Sequence, residues 1–383
     1  MRMKIGIITL YYNSYNFGGL LQAYALAYFI NKHTGHEAEQ ICYEVIREHK
    51  TESLTKLALN ALKIIYHLPQ RIKSHKRENL VASSLQLRAK TIDKWRNNIP
   101  HSAAVYRQDN IAESNQLYDC YITGSDQVWN LSWSDPSYFL NFADKEKNLL
   151  SYGASVGSDT LSEELKKLLI ENLRYYNAIS VRESSIAEEI SILCNKPVSS
   201  VVDPTLLLSR DEWDSTCSSR LIQKRYVFCY FLGNDVHQRE AAKAYAKKRD
   251  VLLVTIPYAP LDYMECDDHF GDERIFEADP SDFISLIKYA EAVFTDSFHA
   301  ALFSSLYDKK FVVFERYGFP QMNGRVRILC KLFKNSYRFI EGCGEYDQAV
   351  IETVLDFNEN SDFTAYLKER DNSISFLERS LNS

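Results

Sequence analysis

Asp296, Ser297 and His299 lie in "EAVFTDSFHAALFSSLYDKKFVVFER" (residues 291–316), where a strand-like apolar run turns into a helical one and a second strand-like run follows. Asp and Ser are good helix caps, and capping alone accounts for them. The same place is also the carboxyl edge of a strand, where open α/β sheets bind ligands. A helix beginning near Ser297 points its positive end at a cleft, an anion site for phosphate or carboxylate. His299 falls in that first turn. The helix end by itself disfavours the imidazolium, and a bound phosphate dianion restores it, so such a ligand could arm His299 as an acid. Taken alone, a histidine there is more often structural.

Two further loops follow strand-like runs. In "YYNSYNFGGLLQAYAL", Asn16, Gly18 and Gly19 precede a helix, so backbone N–H groups could face a ligand; a tight turn explains the glycines equally well. The pattern lacks G-x-G-x-x-G, so a dinucleotide fingerprint is absent. In "GSDQVWN" (124–130), Ser125 and Asp126 either cap a helix or hydrogen-bond a sugar hydroxyl, and Trp129 and Trp133 could offer a face to a pyranose, although buried Trp is commoner. Arg182 in "SVRESS" is a natural second anion contact, since its planar fork matches carboxylate or phosphate. Arg325 and Arg327 in "NGRVRIL" add positive charge. With no Ser–His–Asp order, nucleophilic Cys motif or Walker loop, the chemistry implied is metal-free group transfer onto a hydroxyl, in a cleft that holds an anion.

These loops need a frame of alternating strands and helices. "KIGIITL" (4–10), "YDCYITG" (118–124), "NLLSYGAS" (148–155), "AISVRE" (178–183) and "PVSSVVD" (197–203) read as strands, with helices such as 19–35 and 162–176 between some of them. Near-continuous apolar strands between amphipathic helices predict parallel sheets covered on both faces. The polar stretch 209–225 interrupts, and the alternation restarts with "YVFCYFLG" (226–233), a helix over 237–250, "VLLVTIP" (251–257) and a helix over 280–291. The expectation is an α/β protein of two doubly wound, Rossmann-like domains facing a cleft: residues 1–208 on the acceptor side and residues 222–383, with C-terminal helices, on the donor side. Residues 45–100 stand apart, with roughly twelve Lys/Arg against four Asp/Glu at helical spacing. They read as a helical insertion whose basic face is either simply solvated or docks on an anionic membrane surface or acidic acceptor.

At 383 residues, 45% hydrophobic and 25% charged, the chain has ordinary globular composition and length for two domains. A net charge of −6 gives no sign of a nucleic-acid binder. The apolar run in "MRMKIGIITLYYN" is too short for a signal-peptide core, and no stretch approaches a bilayer span, so a cytoplasmic protein is expected. Eight cysteines without a C-x-x-C pair and nine histidines without H-x-x-x-H predict neither disulfides nor a structural metal.

With these residues laid out, the chain resembles the polysaccharide pyruvyl transferase family. The matching pieces are "NFGGLLQAYAL", "YITGSDQVWN", "SYGASVGS", "ISVRESS", "VVDPTLLL" and "FTDSFHAALFSSLYDKKFVVF", spanning residues 5 to about 330. The resemblance implies a GT-B-like fold and transfer of a pyruvyl ketal from phosphoenolpyruvate to two hydroxyls of a sugar, free or lipid-linked, in a cell-surface glycan, with no cofactor beyond that co-substrate. It implies His299 as the general acid and Arg182 as a donor-binding residue. Many members carry T-D-R-x-H-G; here Ser297 replaces that Arg and Ala300 the Gly, which leaves Arg325 or Arg327 to supply the charge. Two other readings share the fold: a nucleotide-sugar glycosyltransferase, with Glu315 as the one obvious ribose reader, and a non-catalytic member that binds glycan or scaffolds a membrane assembly through the basic segment 45–100.

Overall fold

The apolar strand β1 (Lys4–Ile8) feeds the helix α1 (Phe17–His33), and both are buried nearly throughout. Asn16 caps α1 by accepting from the N–H groups of Gly18 and Gly19. The computed structural model describes residues 2–45, 68–132, 135–257, 263–316, 323–357 and 362–382. Strands β2 (Glu37–Tyr43), β3 (His101–Tyr106), β4 (Cys120–Thr123) and β5 (Asn148–Ser151) join β1 in a wholly parallel sheet of order β3-β2-β1-β4-β5. Bridges Leu150–Ala178 and Ala154–Val181 carry it on to the pair β6 (Ile179–Val181) and β7 (Val198–Ser200). Helices α3 (Glu163–Leu173) and α4 (Ser184–Cys194) lie between these last strands.

The polar stretch after residue 208 holds a short helix, α5 (Arg210–Thr216), closed by a Ser209/Glu212 capping box and anchored by the buried Trp213. Then the pattern repeats. Strands β8 (Tyr226–Tyr230), β9 (Leu252–Thr255), β10 (Glu273–Arg274), β11 (Ala292–Thr295), β12 (Phe311–Phe314) and β13 (Phe339–Ile340) form a second parallel sheet of order β10-β9-β8-β11-β12-β13. Helices α6 (Val236–Arg249), α7 (Pro280–Tyr289), α8 (Phe298–Leu306), α9 (Asn323–Leu332) and α10 (Gln348–Asp356) accompany it. In each sheet the strand order reverses once, between β1 and β4 and between β8 and β11, and such reversals open a crevice at the carboxyl ends of the strands. The two-domain α/β expectation describes this architecture.

Two helices tie the halves together. The described part of the basic segment is α2 (Leu68–Arg96), 29 residues long, and it supplies the crossover that the parallel pair β2–β3 requires; residues 46–67 lie outside the described residues. Its C-terminal half faces protein. Ile92 and Trp95 are buried, the Trp95 indole donates to Ser281 Oγ (2.7 Å), and Arg88 donates to the Pro257 carbonyl (2.6 Å). Arg96 donates to the Ser14 carbonyl, so the side chains of Arg88 and Arg96 are committed to the protein's own loops. The last helix, α11 (Thr364–Leu381), touches both domains: Tyr366 stacks on Phe333 of the second at 4.8 Å, while Val202 N–H donates to Ser373 Oγ, Asn148 to the Ser380 carbonyl and Tyr366 to the Leu206 carbonyl in the first. Phe17 of α1 packs on Tyr230 and Phe283, so one apolar cluster runs from sheet to sheet. Among the described residues no helix is long and apolar enough to cross a membrane.

Candidate active site

The second domain contributes the turn after β11. Ser297 caps α8, its Oγ facing the Ala300 N–H at 3.5 Å. Asp296 does not cap, contrary to the sequence-based expectation. Its carboxylate accepts from the N–H groups of Leu232 (2.6 Å) and Gly233 (2.8 Å), fastening the loop after β8, and Arg316 closes on it from β12 at 3.5 Å. An Asp at a strand end reaches the neighbouring strand's loop as easily as its own helix, and spacing alone does not separate these roles. The result is a rigid seat for the first turn of α8, which carries Phe298 and His299.

The first domain contributes three loops. Gly18 lies at the start of α1, under the His299 ring: a Cβ there would stand 2.0 Å from Nδ1 and 2.4 Å from Cε1. Ser125, expected to face an acceptor, is fully buried. Its hydroxyl donates to the Gly153 carbonyl (3.1 Å) and its own carbonyl accepts from Thr9, so it fixes the loop and presents no group to a ligand. Asp126, next in sequence, keeps 22% of its side chain exposed and meets Arg182 Nη2 at 3.3 Å. Arg182, just past β6, is 6% exposed and divides its guanidinium between Asp126 and Asp203 (2.8 Å), with Nε unpartnered. Burial alone would lower the Arg182 pKa, but Asp203, Asp126 and Glu183 together raise it, so the charge is held firmly.

Asp203, within "VVDPTLLL", stands at the centre of the site. Its side chain is wholly buried; Oδ1 accepts from the Thr205 N–H (3.0 Å) and hydroxyl (2.7 Å), and Oδ2 meets Arg182. The same Oδ2 lies 3.7 Å from His299 Nε2, an atom with no hydrogen-bond partner. Burial would raise the Asp203 carboxyl, but Arg182, then His299 and Thr205, hold it below the usual range. His299 is 12% exposed. Burial pushes its imidazole below the ordinary 6.5; Asp203 and Asp126 pull it up, and Arg182 and Arg325 push it down further. The D-P-T sequence was the available signal, since Asp before Pro-Thr favours a short capped turn. Its register with Arg182 depends on how β6 and β7 pair.

Arg325 and Arg327 part company. Both lie on α9, and two residues apart on a helix face different ways. Arg327 is exposed and ion-paired with Glu341, outside the site. Arg325 is 8% exposed and lies 5.5 Å from the Phe298 ring, the same separation as Arg182 from that ring. Among the described residues no carboxylate reaches salt-bridge distance of Arg325, and its Nε is unpartnered. Burial and then the Arg182 charge push its pKa down to about 10. Arg182, Asp203, Phe298 and Arg325 line a cavity of about 180 Å³ closed by Leu206, Leu329 and Leu332.

Other candidates belong to the scaffold. Trp129 is a core residue stacked on Phe139; Trp133 lies outside the described residues. Both Glu315 carboxylate oxygens are tied to the scaffold, one accepting from Asn323 and the other from the Gly342 N–H. Among the described residues no group of three or more His, Cys, Asp or Glu side chains could hold a metal ion.

A family model described as polysaccharide pyruvyl transferase matches residues 16–316, well over half of the chain. No curated protein matches it in sequence. Among solved structures, UDP-GlcNAc 2-epimerase from Methanocaldococcus jannaschii is similar at TM-score 0.55 and 9% identity, covering 99% of this chain and 100% of its own. A UDP co-structure of S. aureus MnaA follows at TM-score 0.53 and 11% identity, covering 100% and 97%. A UDP-N-acetylglucosamine 2-epimerase from Listeria monocytogenes gives 0.52 and 10%, covering 97% and 91%. These likenesses concern the fold, which is of the GT-B type.

Proposed function

Because the chain belongs to the polysaccharide pyruvyl transferase family, we propose that it moves the pyruvyl group of phosphoenolpyruvate onto two hydroxyls of a sugar as a ketal, with His299 as the general acid. The acceptor is a sugar unit of a cell-surface glycan under assembly.

One observation carries the reading. His299 sits between Gly18 of one domain and Asp203 beside two buried guanidiniums, and one of these, Arg325, has no carboxylate within salt-bridge distance among the described residues. A buried cation without a partner is costly, so the site favours an anion with more than one charged end. Phosphoenolpyruvate has a phosphate and a carboxylate. Arg182 and Arg325 hold these ends, with the start of α8 and the Ser297 hydroxyl adding donors where relatives carry Arg. Asn16, Gly18 and Asp126 line the acceptor side.

The chemistry balances without an oxidant or reductant. His299 delivers a proton to the methylene carbon of the enol, which leaves a cation at the carbon bearing the phosphate. A sugar hydroxyl attacks that carbon and loses its proton, which returns the acid to its starting state. The second hydroxyl then forms the other C–O bond as the C–O bond to phosphate breaks, and its proton leaves with inorganic phosphate. General acid catalysis of this kind contributes about 10²–10⁴-fold.

The test incubates the protein with phosphoenolpyruvate and a panel of glycosides bearing free vicinal or 4,6-diols, followed by ¹H and ³¹P NMR. The expected result is a new ketal methyl singlet with an equal yield of inorganic phosphate, both absent with His299→Gln. Product formed equally well by that variant overturns the assignment of the acid.

A further inference from the structure

Asp203 Oδ2 faces two donors and is hydrogen-bonded to one of them. Arg182 Nη1 is at 2.8 Å and His299 Nε2 at 3.7 Å, just beyond hydrogen-bond range. The other oxygen, Oδ1, is already taken by the Thr205 N–H and hydroxyl, so the carboxylate is anchored at that end and Oδ2 is the oxygen left to turn toward His299. Arg182 in turn has an unpartnered Nε and only a 3.3 Å contact between Nη2 and Asp126, so part of its fork is open to a bound anion.

We propose that Asp203 is a positioning residue that couples anion binding to protonation of His299: an anion drawing Arg182 toward itself releases Oδ2 to hydrogen-bond His299 Nε2–H. The neutral ring keeps its hydrogen on Nε2, toward the carboxylate, and takes one proton from solvent on Nδ1, the edge against Gly18. The charged and titratable groups facing the ring are Asp203 and Asp126, which favour this uptake, and Arg182 and Arg325, which oppose it. A bound anion screens both arginines while the carboxylate closes in, so all these changes act in one direction. The acid is thereby loaded when the donor is in place, because a higher pKa increases the protonated fraction of the ring near neutral pH. The inference rests on the reading of His299 as the acid, but not on the identity of the anion.

The experiment follows the His299 ring by ¹H–¹⁵N NMR of histidine-labelled full-length protein, the signal being assigned by its loss in His299→Gln. It is titrated from pH 5 to 9 alone, with inorganic phosphate and with phosphoenolpyruvate. Wild-type protein is expected to show a rise of at least one pH unit in the ring's midpoint with ligand. Asp203→Asn, nearly isosteric, is expected to bind the ligand yet show less than half that rise. Thr205→Val, which frees Oδ1 while leaving the charge, is expected to fall between. A wild-type midpoint unmoved by ligand overturns the proposal without any variant having to fold. An equal rise in Asp203→Asn also overturns it, since the ligand's own charge would then suffice. A rise with phosphate but no binding of phosphoenolpyruvate supports the coupling and sinks the donor assignment; binding of neither overturns both.

Discussion

Replacing Gly18 with Ala puts the tightest contact of the site to work. The new Cβ would stand 2.0, 2.4 and 2.6 Å from three atoms of the His299 ring. Ordinary contact between such atoms is about 3.5 Å, so the ring must retreat by roughly 1.5 Å. The backbone of Gly18 has little freedom to yield, because the Gly18 and Gly19 N–H groups are capped by Asn16 and the helix behind them is buried. The ring has little room sideways either, since Phe298 meets it edge-on at 5.1 Å. A misplacement of about 1 Å at a reacting group costs on the order of 10²-fold in rate, or about 2.7 kcal/mol of barrier. Stability should change far less, because overpacking at about 1–3 kcal/mol is partly offset by the roughly 1 kcal/mol helix preference of Ala over Gly. The assay is the initial rate of phosphate release from phosphoenolpyruvate with the best glycoside acceptor, alongside thermal unfolding. The expected result is a kcat lowered about 100-fold with donor binding kept within tenfold. A variant retaining more than a tenth of wild-type kcat, with the fold intact, refutes the placement of His299 against Gly18.

Arg325→Met should raise the thermal midpoint while abolishing donor binding, because it removes a buried charge whose depressed pKa marks it as destabilising below pH 10; a lower midpoint contradicts this. Arg327→Ala should leave turnover within twofold, as an exposed ion pair is worth about 0–1 kcal/mol, and a tenfold loss would return it to the site. Turnover should fall as pH rises, since the acid must carry its proton. The limb in kcat/KM, which reports the free enzyme, should lie below His299's ordinary 6.5, and the limb in kcat, which reports the bound state, should lie higher; coincident limbs argue against ligand-driven protonation. Trp95→Ala should cost about 3–5 kcal/mol in unfolding by denaturant, because it removes a buried ring and its hydrogen bond to the other domain, and a cost below 1 kcal/mol would remove α2 as a tie between the domains.

The doubling of the fold was legible because buried parallel strands are written as continuous apolar runs. β2 and β3 escaped because neither is a clean apolar run: β2 carries Glu37, Glu39 and Gln40, and in β3 only Ser102 and Tyr106 are buried while His101, Ala103, Ala104 and Val105 are exposed. The places of His299 and Arg182 just past strand ends were legible. Asp203 was not, because its partners come from β6 and α8, and no spacing in one chain states which strand ends meet. Arg325 and Arg327 looked equivalent in "NGRVRIL" until the helix set one inward and the other out. Asp296 reads in sequence as a local helix cap, although its carboxylate serves the loop after β8, more than sixty residues away in the chain.

The proposed donor, phosphoenolpyruvate, can be tested directly. Calorimetric titration with phosphoenolpyruvate, and separately with UDP, tests it without knowledge of the acceptor. Heat from phosphoenolpyruvate alone, lost in Arg325→Met, is the predicted result. Binding of UDP with no response to phosphoenolpyruvate would contradict the account and assign the cleft to a nucleotide-bearing donor.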